Sequence, residues 1–372
     1  MGPILTVILA LLVFEFLIFI HEFGHYIAAR IFKVTIKEFS LGFGPELVSY
    51  ESKKTKIKYK LCMFPLGGFV AMAGENDAFA DSESENEEEA DDPNSFNKKP
   101  AWQRFIITAA GATVNIVAGF LAMIIIVACS DIGSTTYAEP IDRSVIIEAY
   151  QDSEDIEVDT TYSSADYGLL PGDNIISVNG KKVKIFDELS YQISRYGHEP
   201  VDLVVVRDGE RVELNDVRFP TVVSQGQVIG MCDFRIYRAE KTFLNVFPLS
   251  VRKSALVMRM CWESIIDLVR GRYTLQAVSG PVGISAAIGD AAAVGFLSLL
   301  NIVVLISMNL GFMNLIPFPA LDGGRLLTIL IEMVTRKKIP DRIEGIINAV
   351  GLAILFTLMI VILFKDTFML IF

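Results

Sequence analysis

The sequence predicts a polytopic α-helical membrane protein: four transmembrane helices with a small membrane-associated β-sheet, plus a mainly β extracytoplasmic domain. Three observations predict it. Of the 372 residues 52% are hydrophobic and 21% charged, an oilier balance than a soluble domain needs. The apolar residues are gathered into blocks, since 105–129, 291–321 and 346–364 are uncharged and 4–20 carry only Glu15. Each block meets or approaches the roughly 18–20 apolar residues that span a bilayer as a helix. Between the second and third blocks the chain turns polar and reads as short strands joined by turn residues.

Residues 1–130 hold the first two spans. No basic stretch precedes the first apolar segment and no small-residue cleavage site follows it, so it is expected to stay as a helix. It ends in HEFGH, His21 to His25, with no proline to break it. Positions i and i+4 share a helix face, so both imidazoles can hold one cation while Glu22, one residue round, serves as a base. The bland alternative is three polar groups snorkelling to the interface, but ionisable residues in a span are costly and point to function by default. After the span, IKEFSLGFG (36–44) and TKIKYKLCM (55–63) suggest a small sheet, because Lys56, Lys58 and Lys60 alternate with Ile57, Tyr59 and Leu61. Between Glu75 and Asp92 stand ten acidic residues and no basic one, the mark of a solvated, disordered loop. That run supplies much of the net charge of −11. No phosphate-binding loop, nucleic-acid module or internal repeat is visible, and the four cysteines have no metal-binding or disulfide spacing.

Residues 131–222 form the polar domain. Pro171–Gly172 marks a turn, and Asn179–Gly180 and Asp208–Gly209 are hairpin signals between strand-like runs. His198 has no partner ligands nearby and reads as a surface residue. Residues 223–290 are read as a connector whose stretch 241–272 is amphipathic, suited to the outer membrane surface or to packing on the domain before it. Residues 291–372 hold the last two spans. The third span ends in NLIPFPALDGGR (314–325), where Pro317 and Pro319 forbid a regular helix. Gly323 and Gly324 are expected to allow a tight turn behind Asp322.

Lysine and arginine counts orient the spans. Arg30, Lys33 and Lys37 follow the first span, Lys98, Lys99 and Arg104 precede the second, and Arg325, Arg336, Lys337, Lys338 and Arg342 lie between the third and fourth. Residues 130–149 offer only Arg143. The basic connections are therefore expected in the cytoplasm and the polar domain outside, which brings the ends of the first and third spans, HEFGH and Asp322, to one depth. A catalytic zinc site needs a third protein ligand and an open fourth position. Asp322 is the candidate at that depth.

These motifs carry a resemblance. HEFGH with NLIPFPALDGG resembles the site-2 protease family of intramembrane zinc metalloproteases (peptidase family M50), in particular the bacterial RseP-like members with a single PDZ domain. LGFGP (41–45), FPLGGFVAMAGE (64–75), AGATVN (110–115) and SGPVGI (279–284) follow in family order, so the resemblance covers nearly the whole chain. It implies Zn2+ held by His21, His25 and Asp322, Glu22 as general base, and Asn314 and Asn115 as substrate-handling residues. An ordinary interhelical hydrogen bond is the alternative for Asn115. The resemblance also makes the 131–222 domain PDZ-like, although 145–166 is acidic and lacks a clear glycine-rich carboxylate-binding loop. It implies a multi-pass protein of the bacterial inner (cytoplasmic) membrane that cuts transmembrane segments of single-pass proteins in regulated intramembrane proteolysis, such as an anti-sigma factor or a remnant signal peptide. The sheet after the first span would hold the unwound substrate at its edge, or shield the site. An ion or metal transporter and a non-catalytic PDZ scaffold are the alternatives.

Overall fold

The computed structural model describes residues 2–75, 92–130, 135–150, 157–224, 227–237, 242–272 and 278–371. The acidic run expected between Glu75 and Asp92 lies outside them except for its end residues, as does part of the acidic stretch 145–166. The chain divides into two compact units, residues 1–126 with 279–372, and residues 127–278.

The first unit opens with helix α1 (Pro3–Ile31), whose proline sits at the first turn, where no backbone donor is needed. Lys33 ends it in a left-handed conformation. Strands β1 (Ile36–Glu51) and β2 (Lys58–Met72) follow as an antiparallel pair. Their register winds back on itself, so that Phe39 lies between Tyr59 and Val70, and Leu41 between Leu61 and Gly68. The alternation read at 55–63 thus belongs to a real strand, which continues nine residues beyond the predicted segment. Its lysines pair across the sheet, with Lys58 and Lys60 on Glu46 and Lys60 also on Glu38. Hydrogen bonds from Lys58 and then Lys60 hold the Glu46 carboxyl down at about 2. Beneath the sheet, Val34, Ile36, Phe39, Ile57, Val70 and Met72 close a core with Ala28 and Ala29 of α1. The sheet is therefore anchored to the HEFGH end of that helix.

Helix α2 (Ala101–Cys129) completes the first half of this unit. The second unit then holds strand β3 (Tyr137–Pro140), helix α3 (Arg143–Tyr150), and strands β4 (Glu157–Asp159), β5 (Asp173–Val178) and β6 (Lys181–Lys182). Helix α4 (Phe186–Tyr196) comes next, then β7 (Val201–Arg207), β8 (Glu210–Val217), β9 (Thr221–Ser224), β10 (Gln227–Gly230), β11 (Phe234–Ile236) and helix α5 (Phe243–Val269). One antiparallel sheet runs β11-β3-β5-β7-β8 with β6 on β5, and a second runs β10-β9-β4. The predicted turns are in place: Asn179 and Gly180 (φ 46° and 73°) and Asp208 and Gly209 (φ 52° and 86°) have the paired positive φ of a tight hairpin. Ile175, Val178, Leu203 and Val205 face Leu189 and Ile193 of α4 in the core.

Helix α5 realises the packing alternative. Glu263 accepts from Tyr191 and pairs with Arg195, Lys181 and Arg259, while Asp267 takes the other side of Arg195. Lys253 and Arg252 reach Asp187 and Glu188 at the start of α4. Phe243, Leu244, Phe247, Val251 and Trp262 of the same helix stay exposed.

The chain returns to the first unit with α6 (Pro281–Val294), α7 (Phe296–Leu315), α8 (Asp322–Thr335) and α9 (Asp341–Ile371). Among the described residues four helices are long and apolar enough to cross a membrane: α1, α2, α7 and α9. The uncharged run 291–321 is not a single span. Gly295 (φ 147°) ends α6 before α7 begins, a conformation that side-chain-bearing residues rarely adopt.

Candidate metal centre

Two elements far apart in sequence build the centre. His21 and His25 lie one turn apart on the buried face of α1, and Asp322 is the first residue of α8. The break that exposes Asp322 is the one the prolines demand. Helix α7 stops at Leu315, Phe318 donates its backbone N–H to Ile316, Leu321 donates to Phe318, and Ala320 takes a positive φ of 70°. Gly323 and Gly324 act differently from the turn expected of them. They lie inside the first turn of α8, and a Cβ there would stand 1.9 Å from Ile316 O and 2.5 Å from Phe318 O. Their role is close approach, with the loop folded against the start of the helix, and the reversal itself falls to Ala320.

The ligand-type atoms converge. His21 Nε2 is 3.0 Å and His25 Nε2 3.4 Å from Asp322 Oδ2, and the two Nε2 atoms are 3.2 Å apart. Tetrahedral ligands at about 2.0–2.1 Å from a zinc ion stand roughly 3.3–3.4 Å from one another. The triangle observed here matches that edge length, so the residues fit such an ion. The oxygen at its corner, Asp322 Oδ2, is buried and has no hydrogen-bond partner. Among the described residues this is the one cluster of metal-ligating side chains. His198, by contrast, lies 3.9 Å from Glu199 and belongs to no such cluster among the described residues.

The far ring nitrogens fix the tautomers. His25 Nδ1 lies 2.9 Å from the Ile107 carbonyl and donates to it, which leaves Nε2 with its lone pair for a cation. At His21, Nδ1 faces the Asn115 amide at 3.4 Å. Asn115 is fully buried and its Oδ1 lacks a partner. With the amide turned so that Oδ1 accepts the Nδ1 proton, both groups are satisfied and His21 matches His25. Asn314 reaches the same ring from α7, its Nδ2 3.5 Å from His21 Nε2. Glu22 is half-buried, and Gly68 of β2 passes beside it, since a Cβ there would meet Glu22 Cγ at 3.2 Å.

Neither the Ile107 carbonyl nor the helix contact that brings it close stood out in the sequence. AGATVN carried the only signal: small residues let helices approach. A Cβ on Gly24 would stand 2.6 Å from Ala110 O, and one on Gly111 2.3 Å from His25 Nε2. Gly111→Ala is therefore expected to displace the imidazole and weaken zinc binding at least about tenfold, on the scale of changes in a metal's outer shell. Gly345→Ala, with nothing within 4 Å of its added carbon, should bind zinc as the parent does. Zinc titration against a competing chelator compares the two.

The comparisons with known proteins point the same way. The sequence model of peptidase family M50 matches residues 8–358. A protein of Clostridium perfringens, provisionally named a zinc metalloprotease, is 32% identical over 97% of this chain and 98% of its own. Another with that provisional name, from Clostridium acetobutylicum, is 30% identical over 97% of both chains. The zinc metalloprotease RasP of Bacillus licheniformis is 27% identical over 97% of this chain and 98% of its own.

Proposed function

Because the chain belongs to peptidase family M50 and is a zinc metalloendopeptidase, we propose that it cuts transmembrane segments of single-pass membrane proteins, with His21, His25 and Asp322 holding the zinc. The observation that carries this reading is the meeting of the α1 histidines with Asp322, at separations that suit zinc, at the end of an apolar helix. Family membership removes the transporter and scaffold alternatives. Once bound there, zinc would polarise a peptide carbonyl and lower the pKa of water to about 7. Glu22 takes the proton of the attacking water and returns it to the leaving amine. Asn314, beside His21, donates its amide N–H to the oxygen that gains charge. Asn115 orients the His21 ring from the far side, a positioning task in place of substrate handling.

A helical substrate hides its backbone, so it must be extended before it can react. The arm of β2 that passes Glu22 at Gly68 offers a strand to pair with. The lysine and arginine distribution supports an inner-membrane protein with the centre near the cytoplasmic side and residues 131–222 as an extracytoplasmic PDZ-like domain. Substrates of this kind include anti-sigma factors and remnant signal peptides.

Purified protein in liposomes with a single-pass substrate tests the reading. The expected cut falls inside the apolar segment, toward its cytoplasmic end, stops on chelation and returns with added zinc. Cleavage confined to soluble loops, or unaffected by chelation, overturns it.

A further inference from the structure

Asp322 is the one proposed ligand not on α1, so the quality of the centre depends on how α8 is held. Its first turn abuts the preceding loop through Gly323 and Gly324. One turn on, Arg325 leaves the same helix, stacks its guanidinium 4.7 Å over the Phe96 ring and ion-pairs with Glu75. The Glu75 side chain is only 7% exposed, and a carboxylate so placed is tolerable only when paired. Glu75 stands three residues beyond the end of β2, the strand whose Gly68 lies against Glu22.

We infer that Glu75 and Arg325 are positioning residues for the metal centre: their ion pair makes β2 a strap that sets Asp322, through α8, against the histidines and the base on α1. The inference rests on Asp322 being a zinc ligand. A second clamp shows what a merely structural pair on the same helix looks like. Arg104 at the start of α2 holds Glu332 at 2.6 Å, near the far end of α8 and about ten residues from the ligand. The Glu75 pair differs from it in acting one turn from Asp322 and in being tied to the strand that touches Glu22.

The test measures zinc affinity by chelator competition, with thermal unfolding alongside, in the full-length protein. Glu75→Gln and Arg325→Met should each weaken zinc about 10–100-fold, the usual effect of losing an outer-shell partner. The charge exchange Glu75→Arg with Arg325→Glu should recover part of that loss. Glu332→Gln should lower the melting temperature and leave zinc affinity unchanged. Asp322→Asn is the reference. If it keeps wild-type zinc affinity, the ligand assignment fails and the inference with it. If Asp322→Asn loses zinc while Glu75→Gln and Arg325→Met keep it, or fall only in melting temperature like Glu332→Gln, the ligand stands and the positioning role is wrong.

Discussion

Glu22→Gln is expected to bind zinc like the wild type and to lose cleavage by about 10²–10⁴-fold, the usual worth of a positioned general base. Gln fills the same space beside Gly68 and keeps a polar group there, so the fold has no reason to change. It cannot accept a proton. Glu22 also stands one residue round from His21 and outside the triangle of ligand atoms, so the metal loses nothing by the change. Zinc content and single-turnover cleavage, measured on one preparation, separate the two functions. Normal proteolysis by the variant would remove Glu22 from the mechanism.

Changes at the proposed ligands should be more damaging, because they are expected to take metal and activity together. Asp322→Asn keeps the shape of the side chain and its place at the start of α8, but it gives up the charge that balances a cation beside two neutral imidazoles. Zinc should weaken by more than the roughly 10–100-fold of an outer-shell change, with cleavage at background. His21→Ala and His25→Ala should behave alike, each removing one corner of the triangle. Purified protein, dialysed against chelator and reloaded with zinc, distinguishes weak binding from none. A His25→Ala protein that retained full activity would contradict the site.

Most of the centre was legible in the sequence because its signals are local. HEFGH sets two imidazoles and a carboxylate at helical spacing, and the prolines at 317 and 319 announce the break that frees Asp322. The hairpins at Asn179–Gly180 and Asp208–Gly209 were legible for the same reason, since a tight turn needs positive φ and few residues supply it. Contacts between distant residues left no such mark. Arg325 and Glu75 are 250 positions apart, and His21 and Asn115 are 94 apart. The break at Gly295 was masked because an uninterrupted apolar run looks alike whether it holds one helix or two. Helix α4 was missed between strand signals, although Leu189, Gln192 and Ile193 have helical spacing and Asp187 and Glu188 sit in its first turn. The placement of α5 was open because its polar face suits water as well as partners. The paired charges of α4 decide it.

The proposed mechanism requires one zinc ion held jointly by α1 and α8. Zinc X-ray absorption on the purified wild-type protein, with Asp322→Asn beside it, tests this most directly. One zinc per chain is expected, with two imidazole nitrogens and a carboxylate oxygen at about 2.0–2.2 Å, and with loss or weakening of that signal in the variant. Sulfur ligands, or a spectrum and zinc content unchanged by Asp322→Asn, would contradict it.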